Sequence, residues 1–263
     1  MNCFKRISSW GRVVLLGVVA ATRSELANAK TFLLRSTFLF VVVASYSQLW
    51  LILIPDDNPL GPGPTLVIWY CAIAQVFWVP AGSFTSHLDT QIRGAGLDYQ
   101  LLSPAMLTSW FGNFMGQRLG TTLLTAPVAA LIALAMAGPL PMSWMGWLGL
   151  ALAWTSCQTI YFLVTVTIGM SAFWLGNVGP LQTIWHRLVL MFGGVLMPIP
   201  LIPGWVGDVA QVLPFRLLIN DPLLQALRPA RGVLVSVLTQ QIMFSVALLV
   251  CCVAMAQGLR RAR

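Results

Sequence analysis

Long, almost unbroken runs of apolar residues recur along the chain, separated by short segments rich in proline, glycine and charge. Six runs approach or exceed the roughly 20 residues that a helix needs to cross a bilayer core of about 30 Å. Apolar and polar residues do not alternate within the runs, as the strands of a membrane barrel would require. The pattern therefore predicts an all-α integral membrane protein with six transmembrane helices, at residues 32–54, 65–84, 110–137, 146–169, 181–202 and 233–257.

The first thirty residues do not fit this pattern. Basic residues precede the short apolar run 13–21, and Ala27-Asn28-Ala29 follows it, an order that also occurs in secretory signal peptides. The run is too short to cross a bilayer, and cleavage would leave Lys30 and Arg35 beside a span entering from outside. We therefore expect residues 1–31 to form a cytoplasmic amphipathic helix at the membrane interface, with a cleaved signal as the alternative. Residues 32–263 then form the six-span domain.

Composition strengthens the membrane interpretation. Only 8% of the residues are charged and 58% are hydrophobic, with a mean hydropathy of +0.82, whereas soluble domains carry about 25% charged residues. A soluble enzyme, a disordered protein and a nucleic-acid-binding protein are therefore excluded, although the formal net charge is +8. With both termini inside, the Lys and Arg residues predicted outside are Arg216, Arg228 and Arg231. Because positive residues stay in the cytoplasm, we predict a multi-pass protein of the cytoplasmic (inner) membrane with both termini cytoplasmic.

The chain lacks the motifs of common catalytic and energy-converting sites. It has no phosphate-binding loop, no His-Glu-x-x-His and no Gly-x-Ser-x-Gly. His87 and His186 lie far apart and have no cluster of cysteines or carboxylates suited to a metal, so we assign no catalytic residue and no metal site. No predicted span carries an acidic residue in its middle, which argues against a proton-driven carrier. Energy for uphill transport must come from a partner.

Two segments carry a family resemblance. Between spans two and three the chain reads Gly96-Leu97-Asp98-Tyr99-Gln100-Leu101-Leu102-Ser103-Pro104, and after span five it reads Ile202-Pro203-Gly204-Trp205, Leu213-Pro214-Phe215 and Asp221-Pro222-Leu223. These segments resemble the inner loop and the outer-face segment of ABC-2 type transporter permeases. The six-span layout and the basic N-terminal helix agree, so that the resemblance covers essentially the whole chain.

The resemblance implies that this chain is the permease subunit of an ATP-driven exporter and not itself an enzyme. ATP and Mg²⁺ would be bound by a partner, an ABC ATP-binding subunit present in two copies. A second permease copy, identical or homologous, would complete the assembly within the membrane lipids. The resemblance also implies that the ATPase moves the permease through Asp89, Arg93, Gly96, Leu97, Asp98, Tyr99, Leu101, Leu102 and Pro104. An ordinary solvated loop is the alternative for this segment.

Span five is interrupted by Gly193-Gly194 and then by Pro198, Pro200 and Pro203. The stretch 206–227 that follows is too apolar for a free outer loop, yet Pro214 and Pro222 interrupt it. Short half-helices that dip into the outer leaflet satisfy both facts, because irregular backbone at membrane depth must be buried in protein. We therefore expect a re-entrant helical element between spans five and six. The resemblance implies that it acts as an outer gate, with Pro203, Pro214, Phe215, Asp221 and Pro222 as its candidate residues.

A polar side chain marks one face of the predicted second span. Cys71, Gln75 and Trp78 follow one another at helical spacing, and a glutamine in hydrocarbon is costly unless it meets a partner or water. In the family that this chain resembles, spans two and five tend to line the path. The candidates for the translocation path are therefore Tyr46, Gln48, Gln75 and Trp78. An interhelical hydrogen bond from Gln75 is the alternative.

Span three opens with Gly112, Gly116 and Gly120, spaced by four residues. Small residues along one stripe allow two helix backbones to approach closely, and we expect this stripe to pack within the subunit in preference to forming a dimer interface. Arg118 lies between these glycines. We expect its side chain to extend towards the inner headgroups, with an ion pair to Asp89 or Asp98 as the alternative.

Two other functions remain open at this level. A membrane-embedded acyl or glycosyl transferase would need histidine and acidic residues at one interface, for which His87 and Asp89 are the candidate pair. A structural membrane subunit that transports nothing would need no coupling segment. The sequence does not identify a cargo.

Overall fold

A computed structural model describes residues 2–53, 63–78, 104–140, 142–175, 177–228 and 233–261. Every regular element in these ranges is helical, which confirms the all-α class for the described part of the chain. The α-helices are α1 (Asn2–Ala27), α2 (Ala29–Leu53), α3 (Pro64–Trp78), α4 (Pro104–Ala137), α5 (Trp144–Leu175), α6 (Gly179–Phe192), α7 (Trp205–Val212), α8 (Asn220–Leu227) and α9 (Val233–Arg261). Two short 3₁₀ turns cover Ile199–Leu201 and Pro214–Leu217.

Four of the described helices are long and apolar enough to cross a membrane. They contain the segments Phe32–Leu53, Ser109–Ala137, Trp144–Ser171 and Val235–Met255. These segments agree within a few residues with the first, third, fourth and sixth predicted spans, because the length of an apolar run can be measured directly in the sequence.

The predicted second and fifth spans are not represented by helices of full length. Helix α3 has 15 described residues and is apolar, whereas residues 79–84 of the predicted span lie outside the described ranges. Helix α6 ends at Phe192, and the chain then bends through residues 193–197. The interruption that the Gly193-Gly194 pair predicts within 181–202 is therefore present.

Helix α3 occupies the centre of the bundle. Eleven of its residues are buried, on all of its sides, and it contacts α2, α4, α5 and α8. On one side Leu39 and Val43 of α2 and Ala129 and Ala133 of α4 are buried against Trp69. Because α3 meets so many elements, its polar residues Tyr70, Cys71 and Gln75 are buried within the protein.

The glycine stripe of α4 packs against α1. A Cβ atom on Gly116 would lie 2.4 Å from the carbonyl oxygen of Val14 and 2.9 Å from the Cα of Gly17. Gly120 makes a similarly close approach to α1, and Gly112 is buried. The predicted packing within the subunit is thus confirmed for Gly116 and Gly120, and the partner is the N-terminal helix, not another span.

The N-terminal segment is helical, as predicted, and it continues almost directly into α2. The amide of Asn28 donates to the carbonyl of Ser24, and the carbonyl of Asn28 accepts from the amide of Phe32, each at 3.1 Å. An ion pair between Arg35 and Glu25 joins the two helices across this turn. The interfacial position of residues 1–31 stays a prediction.

Candidate functional site in the helix bundle

The chain bends sharply after α6, inside the bundle. Gly194 has a φ of +79°, a conformation in which side chains other than glycine are strained. A Cβ atom at this position would also lie 2.6 Å from the hydroxyl oxygen of Tyr70 and 2.9 Å from the Cβ of Asn220. Gly194 is therefore required both for the backbone conformation and for the close approach of α3 and α8.

Polar side chains of α3 bind the carbonyl groups that the bend releases from helical hydrogen bonding. The Tyr70 hydroxyl donates to the carbonyl of Gly194 at 2.7 Å, and the Gln75 amide donates to the carbonyl of Val195 at 3.4 Å. The Cys71 thiol makes a weaker contact of 3.5 Å with the next carbonyl. Because an unpaired buried carbonyl is costly, these contacts stabilise an irregular backbone within the protein.

Asn220, at the start of α8, completes this arrangement. Its backbone amide donates to the carbonyl of Gly193 at 3.1 Å, and its side-chain oxygen accepts from the amide of Ile199 at 2.8 Å. Its side-chain amide group donates to Asp221 at 2.8 Å. Sequence reasoning missed both Asn220 and Tyr70. The available signal was the position of a polar residue, Asn220, between apolar Ile219 and the Asp-Pro pair.

The candidate gate residues lie around two short helices, α7 and α8. Pro203 and Pro214 are exposed, whereas Pro222 is buried in α8. The Phe215 ring lies 5.3 Å from the ring of Trp185 on α6. The predicted helices interrupted by prolines are thus present, although their position in the outer leaflet stays a prediction.

The Asp221 side chain is half-buried at the start of α8. Its carboxylate pairs with the guanidinium of Arg216, with 3.1 Å between Nε and Oδ2. Burial raises the pKa of the Asp221 carboxyl above its ordinary value of 3.8, while the hydrogen bond from Asn220 and the charge of Arg216 act in the opposite direction. The net direction is upward, so the proton binds more tightly in the folded protein.

The structure brings together three of the four candidate path residues. Gln75 is buried and bonded to the bend, Trp78 follows it on the same side of α3, and Tyr46 packs against the same core cluster. Gln48 is exposed because it lies two residues from Tyr46, about 200° around the helix. The interhelical hydrogen bond weighed for Gln75 is present, and a role in a path stays a prediction.

A second polar cluster lies beside α6 and α5. The Arg118 side chain is 3% exposed, and its Cζ atom lies 4.7 Å from the ring centroid of Tyr161 and 5.1 Å from that of Phe114. The Tyr161 hydroxyl is hydrogen-bonded to Nε2 of His186. The Trp78 ring meets the His186 ring edge-on, with 5.5 Å between centroids.

The expectation that Arg118 extends to the headgroups is therefore wrong. Gly116 and Gly120 face α1, and Arg118 lies two residues from each of them, on the opposite side of α4. That side faces α5, so the guanidinium meets the aromatic residues of the core instead of the membrane surface.

Two glutamines tie further helices together. The Gln158 amide of α5 donates to the carbonyl of Phe77 at 3.3 Å, and the Gln241 amide of α9 donates to the carbonyl of Leu217 at 2.7 Å. Both side chains are 1% exposed. Buried amides therefore connect α3, α5, α9 and the element that follows α6.

The predicted coupling segment falls almost entirely outside the described residues. Pro104 is the first residue of α4, where proline is favoured because its missing N–H is not needed. His87 lies outside the described ranges. So do the other coupling candidates, which are Asp89, Arg93, Gly96, Leu97, Asp98, Tyr99, Leu101 and Leu102. Among the residues that the structure describes, no group of three or more His, Cys, Asp or Glu side chains could hold a metal ion.

No protein-family model and no curated protein matches this chain.

Proposed function

We propose that this protein is the permease subunit of an ABC-2 type exporter, with six crossings and both termini in the cytoplasm. In this topology α3 and the residues that follow it form the second crossing. Helix α6 and the bent segment up to residue 202 form the fifth. The four long apolar helices and the sequence motifs before α4 and after α6 support this assignment.

The observation that carries the proposal is the return of the chain into the bundle after α6. Leu218, Ile219 and Leu223 are fully buried, and α8 packs against α5 and α3. An outer loop that merely connects two spans has no reason to bury these side chains. A re-entrant element that closes the outer end of a path accounts for their burial.

The connectivity also suggests how motion would reach this element. The predicted coupling segment joins α3 to α4, and α3 is hydrogen-bonded through Tyr70 and Gln75 to the bend after α6. An ATPase that displaces the coupling segment would therefore move α3 against α4, and α3 would move the bend and α8. ATP binding and hydrolysis, with Mg²⁺, belong to the partner, because this chain has no phosphate-binding loop.

Co-purification tests the proposal directly. The full chain is expressed with candidate ATP-binding subunits, and the complex is assayed for ATP hydrolysis in nanodiscs. We expect an ATPase to co-purify, and the double variant Asp98→Asn, Leu101→Ala to lower its attachment or its stimulation at least ~10-fold, about 1.4 kcal/mol. Gln240→Ala, on the exposed side of α9, serves as the control. Unchanged attachment and hydrolysis in the double variant, or transport by the chain without an ATPase, would contradict the proposal.

A further inference from the structure

Arg118 is a buried cation whose charge is not neutralised by the part of the chain that the structure describes. Its Nη1 atom is inaccessible to solvent and has no hydrogen-bond partner. Of the acidic residues in the described ranges, Glu25 pairs with Arg35, Asp221 pairs with Arg216, and Asp208 is exposed on α7. None of them pairs with Arg118.

The aromatic rings around Arg118 and its hydrogen bond with Tyr161 compensate only part of its desolvation. A cation over the face of an aromatic ring gains a modest attraction, whereas transfer of an isolated charge out of water costs considerably more. An ionisable residue at membrane depth is for this reason a candidate functional group, with an oppositely charged partner expected. The partner of a guanidinium is an oxyanion, since its planar donors match carboxylate and phosphate oxygens.

We propose that Arg118, Tyr161, His186 and Trp78 form a binding site for an oxyanion, a phosphate or carboxylate group, carried by an amphiphile. Opening of the hydrogen bond between Tyr161 and His186 makes the His186 ring nitrogen available next to the guanidinium, while Tyr161 stays hydrogen-bonded to Arg118. His186 and Trp78 are only half-buried, so they form the side from which a ligand enters. The aromatic faces then contact the apolar part of the ligand.

The position of the cluster in the chain favours entry from the cytoplasmic leaflet. In the predicted topology Trp78 lies near the inner end of span two, His186 near that of span five and Arg118 in the inner part of span three. An amphiphile whose charged group is anchored at the inner headgroups reaches this depth without crossing the bilayer. The choice of leaflet rests on the proposed topology, whereas binding at the site requires neither ATP nor a partner.

Thermal unfolding of the purified full chain in dodecyl maltoside tests the site. The probes are dodecyl phosphate, inorganic phosphate and dodecyltrimethylammonium, which carry the anion with a chain, the anion alone and a cation with a chain. We expect dodecyl phosphate to raise the Tm by about 5 °C at saturation and the cationic amphiphile to have no such effect. An equal rise with inorganic phosphate would support the oxyanion site and assign it to a soluble anion.

Three variants make the test specific. Arg118→Met should abolish the rise in Tm, and Arg118→Lys should retain less than half of it, because lysine lacks the planar donors. Arg187→Met removes an exposed arginine beside His186 and should respond as the wild type does. An undiminished response of Arg118→Met to dodecyl phosphate would overturn the proposal.

An ion pair within the chain is the competing explanation of the buried charge. It predicts that Asp89→Asn or Asp98→Asn lowers the Tm of the ligand-free protein as much as Arg118→Met does, and that dodecyl phosphate does not bind at Arg118. That result would overturn the binding site. It would leave the proposed ATPase partnership untouched, just as failure of the co-purification would leave the anion response untouched.

Discussion

The bundle contains two buried polar clusters that differ in how their polar groups are satisfied. In the Asn220 cluster (Tyr70, Gly194, Ile199 and Asn220), hydrogen bonds of 2.7 and 2.8 Å join side chains to backbone groups. In the Arg118 cluster (Trp78, Phe114, Arg118, Tyr161 and His186), a full charge is surrounded mainly by aromatic rings. The first cluster holds an irregular backbone in place, and the second leaves binding capacity for a group of opposite charge.

Helix α3 links the two clusters. Tyr70 and Trp78 are eight residues apart on this helix, about 12 Å along its axis. A change at one cluster can therefore reach the other through a rigid helix. Substitutions in the two clusters should change the free energy of unfolding in opposite directions and by different amounts. Measuring these changes tests whether the two clusters differ as described.

The largest effect is expected at Gly194. Gly194→Ala adds a Cβ atom in a strained conformation and within 3 Å of Tyr70 and Asn220, so we expect the free energy of unfolding to fall by about 3 kcal/mol. Gly138→Ala is the matched control, because Gly138 has a φ of +74° but no atom within 4 Å of its Cβ position. Urea or thermal unfolding in detergent measures both. Equal losses in the two variants would show that strain alone matters and that the close approach does not.

A smaller loss is expected when Asn220 is replaced. Asn220→Ala leaves the amide of Ile199 buried without its acceptor, which should lower the free energy of unfolding by about 2 kcal/mol. Gln240→Ala, exposed and bonded within its own helix, should change it by less than about 0.5 kcal/mol. If the two variants unfold alike, the Asn220 cluster does not stabilise the bend.

The Arg118 cluster should respond with the opposite sign. Arg118→Met replaces a buried charge by an apolar side chain of similar length, and we expect the ligand-free protein to gain about 1 kcal/mol in unfolding free energy. The measurement is the Tm in dodecyl maltoside without added anion. A clear loss of stability would show that Arg118 is already neutralised within the chain, and the two clusters would then be alike.

The smallest effect is a pH dependence from Asp221. Its pKa is raised above 3.8 in the folded protein, so the folded state binds the proton more tightly than the unfolded state does. The resulting stabilisation is present at pH values below 3.8 and is lost as the pH rises through the raised pKa. We expect a change on the order of 1 kcal/mol or less. Asp221→Asn should remove this contribution from the pH profile of the Tm, and Asp208→Asn, an exposed carboxylate on α7, should retain it.

The sequence predicted the parts of the fold that depend on local composition. Apolar runs located within a few residues the four helices that are long and apolar enough to cross a membrane, and the Gly193-Gly194 pair indicated the interruption at which α6 ends. Proline positions indicated that the following element consists of short helices. These features follow from the number of consecutive apolar residues and from backbone restrictions, which each segment carries by itself.

The sequence did not predict which distant segments contact one another. The spacing of Gly116 and Gly120 predicted a close packing, but not that α1 supplies the partner. Arg118 is buried because α1 packs on the glycine side of α4, which leaves Arg118 on the side that faces α5. Tyr70 and Asn220 are separated by 150 residues, and no local pattern indicates that both meet the same bend.

The sequence by itself determined that the chain is helical and where four helices long and apolar enough to cross a membrane lie, because bilayer thickness sets a length that a composition profile can reveal. Only the tertiary structure decided which polar side chains are satisfied and which remain available. In a bundle of apolar helices almost any face can pack against another, so the partners of Asn220 and Arg118 depend on how distant segments dock and not on the residues beside them.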